Sequence, residues 1–171
     1  FKSLDLTSLN TDDTHEFIKE LCLKVNRLET AYPEMGHIAS VCVYPIFIET
    51  VKKTLNNKNI GIVGVGGNFP SSHTFLNVKK TECKEIINSG ADEVDVVMPL
   101  GNFLAGDYRE VYEEIRELKE QVGVKKLKVI LETGLINDYI KIQYASLIAM
   151  EAGADFIKTS TGKLKPAATY D

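Results

Sequence analysis

The sequence predicts an α/β protein in which helices cover a parallel sheet. Short β-branched runs alternate with longer amphipathic stretches, the runs are too apolar for one face to be wet, and no linker or composition break interrupts the alternation. A single domain over residues 1–171 is expected.

The first run, "KSLDL" (2–6), is the weakest strand signal. After it Phe17, Ile18, Leu21, Cys22, Val25 and Leu28 return at helical spacing. "IASVCVY" (38–44), "IGIVGV" (60–65) and "EVDVVM" (93–98) are strand-like by length and β-branched content. The next helix places Tyr108, Val111, Tyr112, Ile115, Leu118 and Val122 on one face. Asp107 followed by Glu110 marks its start and Gly123 its stop. "LKVILET" (127–133) reads as the fifth strand, a helix follows from about 137 to 153, and "DFIKTS" (155–160) is the sixth.

Composition narrows the function. The 171 residues are 44% apolar and 26% charged, an ordinary globular balance. The formal charge of −4 is spread without blocks, which gives no electrostatic reason to invoke nucleic acid or a membrane surface. Any anionic ligand must be held locally. Cys22, Cys42 and Cys83 are odd in number, far apart and set in apolar segments, so reduced core thiols of a cytoplasmic protein are expected and no metal site is. No run approaches the roughly 18 to 20 apolar residues of a membrane span, and the chain opens in structured-looking sequence with no signal peptide.

An internal echo points to chemistry. "SGADEVDVV" (89–97) and "AGADFIKTS" (152–160) share one frame, each straight after a helix. The shared Gly-Ala-Asp alone is explained by a helix stop and a turn. Five residues after each glycine, however, stand Asp95 and Lys158, each flanked by β-branched residues. Strand side chains alternate faces, so equivalent positions in equivalent units point to the same side and the two should converge in one interior. A structural ion pair is one reading, a functional pair the other.

"TSTGK" directly after Lys158 adds hydroxyls, a flexible backbone and a cation at the carboxyl end of a strand, where α/β folds bind ligands. The spacing is not that of a Walker loop. A lysine whose pKa falls from about 10.4 to about 7–8 can attack a carbonyl as a Schiff-base nucleophile. Desolvation or a second cation favours that fall and a touching carboxylate opposes it. Asp95 is therefore expected at a distance, moving protons through water.

At these residues the sequence resembles the class I, Schiff-base 2-deoxyribose-5-phosphate aldolases. The resemblance runs in order through "LDLTSLN" (4–10), "SVCVYP" (40–45), "GNFP" (67–70), "GADEVDVVMP" (90–99), "LKVILETG" (127–134) and "GADFIKTSTGK" (153–163), nearly the whole chain. It implies a TIM (β/α)8 barrel that reversibly cleaves 2-deoxy-D-ribose 5-phosphate to D-glyceraldehyde 3-phosphate and acetaldehyde, without a metal or organic cofactor. By the same resemblance Lys158 forms the Schiff base and Asp95 takes part in proton transfer.

Other carry-overs are weaker. Lys128 matches a lysine near the family's active site but reads equally as a snorkelling strand-edge residue. Asp5 is expected to orient polar groups at the barrel mouth, or to be an ordinary strand-end aspartate. Cys42 reads as core, with the resemblance placing its counterpart beside the aldehyde pocket. Thr161, Gly162 and Lys163 are candidates for positioning substrate, with Lys163 equally readable as a solvated loop lysine. His15, His37 and His73 receive no role. The expected partners are a phosphorylated sugar and an aldehyde, with homodimer formation left open.

The chain departs from the family at its end. A strand with a second lysine in a "GFKPAGG"-like stretch and a last strand with a Gly-Ala-Ser-Ser-like turn are not in the sequence, so about the first six βα units are expected here, against about 250 residues for a whole barrel. A truncated, non-catalytic barrel serving as a binding or interaction module is the alternative to an aldolase.

Overall fold

The computed structural model describes residues 2–169. Its sheet has six strands, all parallel, in the order β1 (Asp5–Thr7), β2 (Ser40–Val43), β3 (Gly61–Gly66), β4 (Glu93–Val97), β5 (Lys126–Ile130) and β6 (Phe156–Lys158). The helices between them are α1 (His15–Ala31), α2 (Ile48–Thr54), α3 (Leu76–Asn88), α4 (Leu100–Ala105), α5 (Tyr108–Val122), α6 (Thr133–Ile136) and α7 (Tyr139–Glu151). Each predicted strand has its counterpart. No described helix is long and apolar enough to cross a membrane.

Local sequence explains several helix ends. The Thr14 hydroxyl accepts from the Phe17 amide to start α1, and the Asp138 carboxylate accepts from the Lys141 amide to start α7. Helix α5 spans the predicted 108–122 and stops at Gly123, whose φ of 64° suits glycine. Its predicted capping box does not form. Asp107 stands at the N-cap, but its side chain accepts no capping hydrogen bond.

The two sheet faces differ in kind. Outward-facing Val41, Val43, Ile62, Val94, Val96, Leu127 and Val129 join Ile18, Ile48, Ile86, Val111, Ile115 and Ala149 of the helices in one buried cluster. Helix α3 comes so close to β3 that a Cβ on Gly64 would lie 2.6 Å from the Ile86 side chain. The inner face carries only a small apolar group, Leu9, Cys42, Val63 and Val65, with Tyr44 and Phe69 against it.

The sheet is strongly curled. Strands β1 and β5 are four positions apart, which in a flat sheet is about 19 Å. Yet Lys128 Nζ on β5 donates to Asp5 Oδ2 on β1 at 3.0 Å. Six parallel strands thus form a half-barrel whose concave face gathers side chains from both ends of the sheet.

Candidate active site

Strand alternation sends Asp95 of β4 and Lys158 of β6 to the concave face. In register, Asp95 pairs with Lys128, while Lys158 pairs with Ile130, the next inward position along β5. Curl closes the remaining gap, and Lys158 Nζ donates to Asp95 Oδ2 at 2.5 Å. The two residues of the internal echo therefore meet. They meet directly, however, and not at the water-bridged distance expected, because the sheet bends toward its inner face.

Asp95 is fully buried, whereas the Lys158 side chain keeps 27% of its exposure. Burial pushes the Asp95 carboxyl above its ordinary value, and the neighbouring charges of Lys158 and Lys128 oppose the rise without cancelling it. A carboxyl so placed accepts and returns a proton more readily than an exposed aspartate. Its second oxygen, Oδ1, is buried and has no hydrogen-bond partner among the described residues, with Lys128 Nζ at 3.5 Å. One oxygen of the pair is thus engaged by the amine and the other is free to accept.

Lys128 is not a snorkelling edge residue. Its buried ammonium lies among three carboxylates: Glu93, Asp5 at 3.0 Å and Asp95 at 3.5 Å. Burial alone would lower its pKa, but Asp95, Glu93 and Asp5 together raise it, so Lys128 remains a fixed positive charge. Asp5 is held below its ordinary value of 3.8: burial raises it, but hydrogen bonds from Ser40 and Lys128 more than offset that. Asp5 thus accepts hydrogen bonds from both Ser40 and Lys128. Cys42 is fully buried beside this cluster, and burial first, then the Asp95 charge, push its thiol up to about 12. It is a core thiol at neutral pH, as are Cys22 and Cys83.

Several polar groups of the turn after β6 are engaged within the protein. The Thr161 amide and hydroxyl both donate to the buried Glu132 carboxylate. Lys163 is not simply solvated, since its amide donates to the Thr161 hydroxyl and its ammonium to the Leu9 carbonyl. Gly162, with φ of 74°, has open space around it. His15 contacts Thr50, His37 contacts the Ile38 carbonyl, and neither they nor His73 reach the lysines' hydrogen-bond network. No group of three or more His, Cys, Asp or Glu among the described residues is arranged to hold a metal ion.

Glu93 and Glu132 were missed from sequence. Glu93 stands two residues before Asp95, so strand alternation puts it on the same face and the period-two rule identifies it. Glu132 carries no such signal, because it leaves the strand and turns into the left-handed region.

With this geometry in place, comparison with known proteins is informative. A family model described as DeoC/LacD family aldolase matches residues 1–171. The solved structure of the aldolase QR15 is 33% identical, with a TM-score of 0.87 over 98% of this chain and 71% of that one. A Coccidioides immitis protein provisionally assigned as a deoxyribose-phosphate aldolase is 30% identical, with a TM-score of 0.82 over 96% of this chain and 61% of its own. The deoxyribose phosphate aldolase of Aeropyrum pernix, a tetramer, is 26% identical, with a TM-score of 0.73 over 93% of this chain and 63% of its own. The chain spans 61% to 71% of the lengths of these three proteins.

Proposed function

The chain belongs to the DeoC/LacD aldolase family, and from that premise we propose that it supplies the Schiff-base centre of a deoxyribose-phosphate aldolase built on a (β/α)8 barrel. One observation carries this reading. A lysine on the concave face of a parallel sheet, at the carboxyl end of its strand, touches a fully buried carboxyl at 2.5 Å. That end of the strands is where barrel enzymes hold substrate.

The chemistry follows from the pair. Lys158 must give up a proton before its nitrogen can attack the aldehyde carbon of 2-deoxy-D-ribose 5-phosphate, and Asp95 is an acceptor already in contact. The carbonyl oxygen then leaves as water, forming a protonated imine. Loss of the proton from the hydroxyl two carbons away breaks the intervening carbon–carbon bond. D-Glyceraldehyde 3-phosphate departs and the bond's electrons pass into an enamine on Lys158. Protonation of the enamine carbon and addition of water release acetaldehyde and restore the amine. Lys128, locked among three carboxylates, supplies a constant charge beside Asp95 Oδ1 and takes no part as a nucleophile.

Borohydride reduction of the full-length protein with acetaldehyde tests this directly. Peptide mapping should find the two-carbon adduct on Lys158. A label confined to Lys128 or Lys163, or none at all, rules the assignment out.

A further inference from the structure

Strand β5 ends at Ile130, and two residues later Glu132 adopts φ 54° and ψ 57°, a conformation uncommon for a residue with a side chain. Its side chain is almost fully buried. Burying a carboxylate is costly unless hydrogen bonds repay the lost hydration, and here the donors come from a single residue. The Thr161 hydroxyl donates to Oε2 at 2.5 Å, and the Thr161 amide lies 3.2 and 3.3 Å from the two oxygens.

Thr161 stands three residues after Lys158, and its hydroxyl also accepts from the Lys163 amide at 3.0 Å. The Lys163 ammonium reaches the Leu9 carbonyl beyond β1. Beside this, the Thr133 amide donates to the Thr159 carbonyl at 2.9 Å. A continuous run of hydrogen bonds therefore passes from the end of β5, through the turn that follows Lys158, to the loop after β1. Since both Thr161 protons are committed to Glu132, Thr161 cannot also donate to a ligand. Its part is to hold the turn's shape.

We propose that Glu132 is a positioning residue: by anchoring Thr161 it sets the turn 159–163 against Lys158, and so fixes where the phosphorylated half of the substrate lies relative to the imine carbon. The proposal rests on the Schiff-base reading above. It predicts a split between two steps. Acetaldehyde needs only the lysine and its acid, whereas cleavage of the five-carbon phosphate also needs the turn in place.

The test compares wild type, Glu132→Gln, Thr161→Val and the double variant in the full-length protein. Glutamine keeps the shape but offers one acceptor oxygen to two Thr161 donors. Trapping of acetaldehyde on Lys158 should stay within about twofold, while kcat/KM for 2-deoxy-D-ribose 5-phosphate falls about tenfold or more. The double variant should be little worse than either single, because both changes cut the same link. Unchanged cleavage overturns the proposal. So do parallel losses in trapping and cleavage that track a lowered melting temperature, since those report folding alone. If Glu132→Gln does not fold, Thr161→Val decides by the same two readouts. No trapped lysine in the wild type overturns the Schiff-base reading itself, a result distinct from wild-type trapping with unaltered variant cleavage.

Discussion

Leu127 and Lys128 are neighbours on β5 and belong to opposite worlds. Leu127 enters the apolar layer under α5 and α7 with Val94, Val96 and Val129. Lys128 enters a concave face where its ammonium lies within ion-pair reach of Asp5, Glu93 and Asp95, and Asp95 in turn holds Lys158. The outer face is held by burial, which is nondirectional and tolerates exchange of similar shapes. The inner face is held by matched charges, which contribute little net stability and depend on every partner being present. Apolar burial and charge are therefore assigned to alternate residues of the same strands.

The largest effect expected on this division comes from Asp95→Asn. It should lower turnover about 10²- to 10⁴-fold, because the proton acceptor beside Lys158 is lost while the shape is kept. The fold should lose far less, since burial already holds the Asp95 carboxyl above its ordinary value and the charged form is a burden to the native state. Parallel measurement of kcat and of denaturant midpoint checks both halves. A stability loss matching the activity loss would merge the two faces into one structural unit.

Leu127→Ala probes the other face. Truncating this fully buried side chain should cost about 2–5 kcal/mol of stability. Turnover per folded molecule should stay within about twofold, measured at a temperature where the variant remains folded. A catalytic defect as large as that of Asp95→Asn would mean that the outer layer tunes the charges directly.

The smallest effect concerns pH. Asp5 has a depressed folded-state pKa, so its stabilisation is fully present above its unfolded value near 3.8 and is lost as pH falls through the lower folded value. Asp5→Asn should therefore be less stable than wild type at neutral pH, on the order of 1 kcal/mol, with the difference vanishing in acid. Thermal melts from pH 7 to pH 2 would show the convergence. A constant difference at every pH would assign Asp5 to packing and not to charge.

Much of this was legible from residues alone. Five of the six strand positions followed from β-branched runs, and the convergence of Asp95 with Lys158 from the repeated Gly-Ala-Asp frame. The "LKVILET" run extends three residues past the end of β5 at Ile130, because a strand and the turn leaving it look alike until Glu132 takes positive φ. The distance between Asp95 and Lys158 was misjudged for a different reason. Chemical preference for a separated pair says nothing about how far a sheet bends.

Alternation along a strand and the capping of a helix are properties of the local backbone, so the sequence by itself determined which side chains share a face, where α1 and α7 start and α5 stops, and that an acid and an amine would point inward together. Which of those inward groups touch was decided only by the tertiary structure. Asp5 and Lys128 are 123 residues apart and meet because the helix layer bends the whole sheet around its concave side. Glu132 and Thr161 meet because β5 and β6 lie side by side and each residue follows its strand's carboxyl end. Contacts of that kind depend on the curvature of all six strands at once, and no local segment carries that information.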